Sequence, residues 1–356
     1  MSNTTILESI LNYSIQKKAS DIHISEGKYI TYRIKKKLSI MESAGSIDEN
    51  KIKNVLLELM NKNEERVKEF MGKKDADFAY IGKDGTSFRV NAFFRLGKIS
   101  FVLRRIESEP IGIEKLGLPD GVQDFITAKQ GLILITGPTG SGKSTTMISI
   151  LNEINKQRGE HILTIEDPVE FVFKDDKSIF SQREIGNDTN GFSSALRAAM
   201  REDPDIIMVG EMRDRETVEA AMELAETGHL VISTMHTSGS VATITRLINF
   251  FPTDIQNSVR YKLGDVLSGV LSQRLVQKAD GSGIIGIFEL MHMTTAIKSL
   301  IREGQLNQIS QNIENVKERL NDINECLCGK FRSRMNYGKK RIGKLFFRGY
   351  IKKIFY

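Results

Sequence analysis

The eight residues GPTGSGKS, Gly137 to Ser144, constrain this chain more than any other stretch. They follow an apolar run, GLILIT, and lead into the helix-forming stretch STTMISILNEIN. Glycines at 137, 140 and 142 let successive backbone N–H groups turn inward onto phosphate oxygens. The N-terminus of the following helix adds partial positive charge. Strand, glycine-rich loop, Lys-Ser and helix in this order specify a phosphate-binding loop on a parallel α/β sheet. Lys143 is placed to reach the β- and γ-phosphates of a nucleoside triphosphate, and Ser144 to ligate magnesium. The expected cradle is Gly137, Pro138, Thr139, Gly140, Ser141, Gly142, Lys143, Ser144 and Thr145, and the expected ligands are ATP and Mg2+. A chance glycine-rich turn would lack the flanking strand and helix.

The chain has 356 residues, enough for two domains of ordinary size. Its 40% apolar and 27% charged content describes a globular protein with a sizeable core. No run approaches the roughly 18 apolar residues of a membrane span, and the N-terminus lacks the basic-then-apolar layout of a signal peptide. Cys326 and Cys328 are the only cysteines. That usage fits a reducing cytoplasm, and Cys-x-Cys alone is too few ligands for zinc. The formal net charge of +6 is unevenly placed. Ten Lys or Arg and no acid lie between Gly329 and Tyr356, so residues 1–328 are net negative. A basic nucleic-acid-binding domain is therefore a poor description, and no nucleic-acid partner is expected.

The N-terminal stretch mixes both kinds of pattern. Ile6, Ile10, Leu11 and Ile15 fall at helical spacing. DIHIS and YITYRIK alternate like strands, residues 48–71 read as helix, and DADFAYIG, SFRVNAFFR and KISFVLRRI read as three more strands. Residues 1–108 thus form a mixed α/β domain. Residues 109–121 concentrate Pro and Gly and read as a linker. From residue 122 to about 315, the apolar runs LILIT, HILTI, DIIMV and HLVIST alternate with helical stretches. Runs apolar on both faces indicate a mainly parallel sheet covered on both sides. Residues 316–356 form a divergent basic tail.

Ligands of such a sheet sit beyond the carboxyl ends of its strands, so those ends hold the candidate chemistry. TIEDPVEF brings Glu166, Asp167 and Glu170 to one strand end. A carboxylate there can orient and deprotonate an attacking water; a turn with solvated acids fits equally. DPDIIMVGEMRD ends a strand with Gly210 and Glu211, where many nucleotide hydrolases place an aspartate for magnesium. GHLVISTMHT places His229 at the start of a strand and His236 at its end, which makes His236 the better candidate for sensing a γ-phosphate.

GPTGSGKST, TIEDPVEF, VGEMRD and TGHLVISTMHT, in this order and spacing, resemble the secretion ATPase superfamily, and within it the type IV pilus retraction ATPases. ASDIHIS and FRVNAFFR resemble that family's N-terminal domain, and AIKSLIRE resembles a motif of the retraction branch. The resemblance covers residues 4 to about 315. It implies an α/β fold with a PAS-like N-terminal domain and a RecA-like P-loop ATPase domain. It also implies a cytoplasmic homo-hexamer at the inner face of the cytoplasmic membrane, which hydrolyses ATP to pull in a pilus and drive twitching motility. Its partner would be an inner-membrane platform protein, with membrane association through partners. By position, Glu170 matches the family's water-activating acid and Glu211 the glutamate of its second Walker motif; a glycine ordinarily precedes that glutamate. Magnesium would rest on Ser144, phosphates and water, with Glu211 acting through a water. The family's arginine fingers act on a neighbouring subunit from the N-terminal domain. Arg89, Arg95 and Arg104 occupy that region, with Arg105 beside them. A solvated strand face is the competing reading for each.

The chain departs from the family in three places. YRIKKKLSI stands where a Gly-containing turn is usual. No Cys-x-x-Cys pair is present, which favours retraction over pilus extension or type II secretion. The tail carries ten positive charges and many aromatics, Phe331, Tyr337, Phe346, Phe347, Tyr350 and Tyr356 among them. Three readings fit it: a basic tail for anionic lipid or acidic partners, a displaced reading frame, and a divergent helix. A non-hydrolysing nucleotide-controlled scaffold is the alternative of another class.

Overall fold

In the computed structural model of the chain, residues 5–41, 45–106, 109–277 and 283–311 are described. The basic tail, with Cys326 and Cys328, lies outside them. The chain divides into two compact units. The first holds the residues up to Glu109 together with Asp167–Val172 and Glu184–Asp188; the second holds Pro110–Glu166, Phe173–Arg183 and the residues from Thr189 on.

The first unit is a six-stranded sheet with helices against its apolar face. Its elements are α1 (Ile6–Gln16), β1 (Asp21–Ser25), β2 (Thr31–Ile34), β3 (Lys37–Ile40), α2 (Glu49–Leu59), α3 (Glu64–Lys73), β4 (Asp75–Ile81), β5 (Ser87–Arg95) and β6 (Lys98–Arg105). The strand order is β3-β2-β1-β6-β5-β4, antiparallel throughout. The helices bury Leu7, Leu11, Ile52, Leu56 and Phe70 with Ile22, Ile24, Phe88, Val90 and Phe101 of the strands. Each such side chain contributes roughly 2 kcal/mol by leaving water. Thr5 and Glu8 cap α1 reciprocally, which fixes where the helix starts.

Local chemistry shifts three expectations here. The core face of α1 is Leu7, Ile10, Leu11 and Ser14, while Ile6 is exposed. The helical reading of residues 48–71 breaks in two, because Asn61 and Lys62 take left-handed backbone and the Asn63 side chain caps α3. The stretch YRIKKKLSI is a two-residue hairpin between β2 and β3. Lys35 and Lys36 both adopt positive φ, 48° and 67°, at positions that usually favour Asn-Gly.

The second unit contains α4 (Ile113–Leu116), α5 (Val122–Thr127), β7 (Gly131–Thr136), α6 (Lys143–Gln157), β8 (His161–Glu166), β9 (Ile179–Glu184, its last residue grouping with the first unit) and α7 (Phe192–Ala199). It continues with β10 (Ile206–Val209), α8 (Arg215–Glu226), β11 (Leu230–Met235), α9 (Ser240–Asn249), α10 (Gln256–Val266), β12 (Leu267–Gln277), β13 (Ile284–His292) and α11 (Thr295–Arg302). The sheet order is β13-β12-β7-β11-β10-β8-β9. Strands β12, β7, β11, β10 and β8 are parallel, and β13 runs antiparallel at one edge. Every residue of β7, β10 and β11 is buried, as continuous apolar runs require. The four strands that sequence patterning finds are the four at its centre; β9, β12 and β13, with polar residues interspersed, escape it.

Parallel register brings the functional segments to one edge. Thr136 pairs with Met235, Val209 with Ser233, and Ile165 with Val209. The phosphate loop, Glu211 and His236 therefore all leave the carboxyl end of this sheet. Among the described residues, no helix is long and apolar enough to cross a membrane.

Candidate functional site

The phosphate loop takes the backbone that its glycines permit. Gly137, Gly140 and Gly142 have φ of 151°, 76° and 86°. A Cβ at Gly137 would stand 2.3 Å from the Gln273 carbonyl oxygen, so close approach as well as conformation requires glycine there. Helix α6 starts at Lys143 with no side-chain cap on its first amides. Lys143 is buried, and its Nζ donates to the carbonyls of Gly137 (3.0 Å) and Pro138 (3.2 Å). Open helix amides and a buried ammonium held among loop carbonyls fit a phosphate group.

Glu211 is fixed by tethers on both sides. Gly210 N donates to Ile165 O at 2.8 Å, Thr234 Oγ1 donates to Gly210 O at 2.6 Å, and Met212 N donates to Thr234 O at 3.0 Å. The carboxylate between them is mostly buried. One oxygen pairs with Arg213, and the other, Oε2, lies 3.2 Å from His236 Nε2. On its other side, His236 Nδ1 lies 3.5 Å from both Lys143 Nζ and Thr139 Oγ1. The His236 ring stands between the Glu211 carboxylate and the Lys143 ammonium, within 3.2 Å of one and 3.5 Å of the other. The structure thus brings Lys143, Thr139, Glu211 and His236 together.

Magnesium can be tested against these donors. Among the described residues, no cluster of three or more His, Cys, Asp or Glu could hold a metal ion. Glu211 Oε2 is buried and has no aligned hydrogen-bond donor, since the His236 contact falls outside hydrogen-bond geometry. An ion held by Ser144 and phosphate oxygens, with water reaching that carboxylate, fits this donor set.

Other polar residues at these strands have local roles. Asp205, at the opposite end of β10, accepts from His161 N at 2.8 Å. His229 Nδ1 lies 3.0 Å from Leu224 O at the end of α8. Glu166 is buried and accepts from Thr164 Oγ1 (2.7 Å) and Gln182 Nε2 (3.2 Å). A Cβ on Gly210 would come no closer than 3.4 Å to Ile165 O, and its φ is not left-handed. The fold itself therefore does not demand glycine there.

In the first unit, Glu170 Oε1 lies 3.6 Å from Arg89 Nη1, both half-exposed. Arg89 is directly opposite Arg104, which is opposite Asp21, which is opposite Arg33. One transverse row across four strands thus carries three guanidinium groups and one carboxylate. Arg104 Nε donates to the buried Asp21 Oδ1 at 2.9 Å, and Arg33 Nε stands 3.4 Å from Oδ2. Burial pushes the Asp21 carboxyl up, but the Arg104 and Ser20 hydrogen bonds outweigh it and hold the group below the usual aspartate range. Arg95 closes β5, opposite Lys98. ASDIHIS contains Asp21 without indicating its arginine partners, and the motifs include none of Ser272, Gln273 and Glu289 in the second unit.

The stretch AIKSLIRE forms most of α11, capped by Thr294. It buries Ile297 and Ile301 and pairs Arg302 with Asp265 of α10.

Comparison with known proteins now bears on these features. Residues 2–284 match the model of the family described as type II/IV secretion system protein. The chain is 39% identical over 308 residues to the type IV pilus retractation ATPase PilT of Pseudomonas aeruginosa, covering 86% of this chain and 88% of that one. It is 41% identical over 257 residues to a twitching motility protein of Neisseria gonorrhoeae, covering 72% and 68%. Among solved structures, the crystal structure of the pilus retraction motor PilT with bound ADP superposes with a TM-score of 0.79 at 43% identity, over 86% of this chain and 88% of that one.

Proposed function

The chain belongs to the type II/IV secretion system protein family, and on that premise we propose that it is an ATP-hydrolysing motor that retracts type IV pili. One observation carries the reading: Lys143, Glu211 and His236 converge at the carboxyl edge of the sheet, beside a loop shaped for phosphate. The relatives named for pilus retraction and twitching motility, and the ADP-bound motor structure, support the same reading.

The reaction is attack of water on the γ-phosphorus of ATP, giving ADP and phosphate. The loop amides and Lys143 bind the β- and γ-phosphates and take up negative charge as the terminal bond breaks. Ser144, together with phosphate oxygens, would hold magnesium, which would supply positive charge to offset the negative charge of the phosphates. Glu170 accepts the proton of the attacking water. Glu211 would reach such an ion through a water, and His236, 3.2 Å from Glu211 and 3.5 Å from Lys143, reads whether a γ-phosphate is present. Arg89, Arg95 and Arg104 present positive charge to a neighbouring subunit's nucleotide, which requires a ring; six subunits is the arrangement that the family resemblance implies. The motor would work in the cytoplasm against an inner-membrane platform protein.

Deletion of the gene tests the function. Cells that keep surface pili but lose twitching are the expected result; cells without pili would assign the motor to extension. Purified protein that binds ATP without hydrolysing it would favour a nucleotide-controlled scaffold.

A further inference from the structure

The middle of β12 touches two loops of the site at once. Gln273 Nε2 donates to Ser141 O, inside the phosphate loop, at 2.7 Å. The residue before it, Ser272, accepts at Oγ from Gly239 N at 2.8 Å. The residue after it, Arg274, donates from Nη2 to Ser238 Oγ at 3.0 Å. Ser238 and Gly239 belong to the loop that begins at His236 and ends where α9 starts. On β13, Glu289 stands directly opposite Ser272 and accepts from both Ser240 N and Ser240 Oγ at 2.7 Å.

Three of these side chains are buried to within 2% of complete, those of Ser272, Gln273 and Glu289, while the Arg274 contact is part-buried. Helix α9 has no side-chain cap of its own, because glycine precedes it. A serine and a glutamate from two neighbouring strands satisfy its first amides instead. Buried hydrogen bonds of this kind fix a loop more firmly than exposed ones, since water cannot replace a lost partner.

We infer that Gln273 is a positioning residue for the phosphate loop, that Ser272 and Glu289 are positioning residues for the His236 loop, and that β12 holds the two in fixed relation. Gln273 sets where Ser141 and its neighbouring amides stand, and so acts on nucleotide affinity. Ser272 and Glu289 set where His236 stands relative to Glu211, and so act on turnover. The inference rests on the proposed ATP hydrolysis and deepens it.

The test separates affinity from turnover. In the full-length protein, Gln273→Met keeps the volume and loses the donor. It is expected to weaken fluorescent ADP binding about tenfold in protein that unfolds near the wild-type temperature. Ser272→Ala is expected to leave ADP affinity within about twofold and to lower kcat about tenfold. Gln273→Leu, which also lacks the donor and adds no charge, replaces Gln273→Met should that variant fail to fold. Unchanged ADP affinity in a folded Gln273 variant, or unchanged kcat in Ser272→Ala, overturns the positioning roles. A wild-type protein that binds no nucleotide refutes the proposed function itself, so the two failures are distinguishable.

Discussion

His236 Nε2 stands 3.2 Å from Glu211 Oε2, while Nδ1 of the same ring stands 3.5 Å from Lys143 Nζ. A single imidazole therefore spans the phosphate loop and the acid two strands away. Glu211→Gln keeps the size of the side chain and removes its charge. It is expected to bind ATP with wild-type affinity and to hydrolyse it about a hundredfold more slowly. Phosphate release and fluorescent-nucleotide titration check the two halves. A normal rate would remove Glu211 from the mechanism.

Lys143→Ala removes the buried ammonium of the cradle. Lys143 Nζ donates to two loop carbonyls, whose hydrogen bonds water can take over in the variant, and thermal unfolding by circular dichroism checks that it folds. Affinity for ATP should fall by at least about a hundredfold, the loss of a strong charge-assisted phosphate contact. Calorimetric titration that finds unchanged affinity would refute the phosphate-cradle reading.

Arg104 has a structural duty besides any catalytic one, because its Nε donates to the buried Asp21. Asp21 titrates below its ordinary range in the folded state. A lowered folded-state pKa contributes stability that is present above the unfolded value, about 3.9, and is lost as pH falls through the folded one. Arg104→Ala weakens that depression, so the acid-unfolding midpoint followed by circular dichroism should move to higher pH. Arg89→Ala, whose partner Glu170 is half-exposed, should leave the midpoint nearly unchanged. Equal shifts in the two variants would contradict this division.

The central strands, and the placement of the glycine loop, Glu211 and His236 at one edge of the sheet, were legible because each rests on a short local pattern. A fully apolar run is buried on both faces, and the glycines of GPTGSGKS take the positive-φ backbone that their spacing predicts. What was not legible depends on pairing between distant segments. Gln273 sits in LSQRL, where nothing local says that its amide meets Ser141, 132 residues earlier. Asp21 looks like a strand-start acid until β6 lays Arg104 beside it. The break at Asn61–Lys62 was hidden because leucine- and lysine-rich composition favours helix on either side of it.

Arg89 and Arg104 are directly opposite each other on β5 and β6, and like charges so placed repel unless an anion lies near both. Asp21 serves Arg104 and Glu170 serves Arg89 within the subunit. Arg95 lies six residues further along β5, opposite Lys98 rather than an acid. If its guanidinium completes a neighbouring subunit's site, the loss can be complemented. Arg95→Ala subunits carry intact phosphate loops; Lys143→Ala subunits carry intact arginines. Each variant alone should be inactive. In mixed rings, a Lys143→Ala subunit lends its Arg95 to the nucleotide of an Arg95→Ala neighbour, so ATPase activity should partly return, peaking near equal mixing. Activity that never rises above that of the separate variants would show that Arg95 acts within its own subunit.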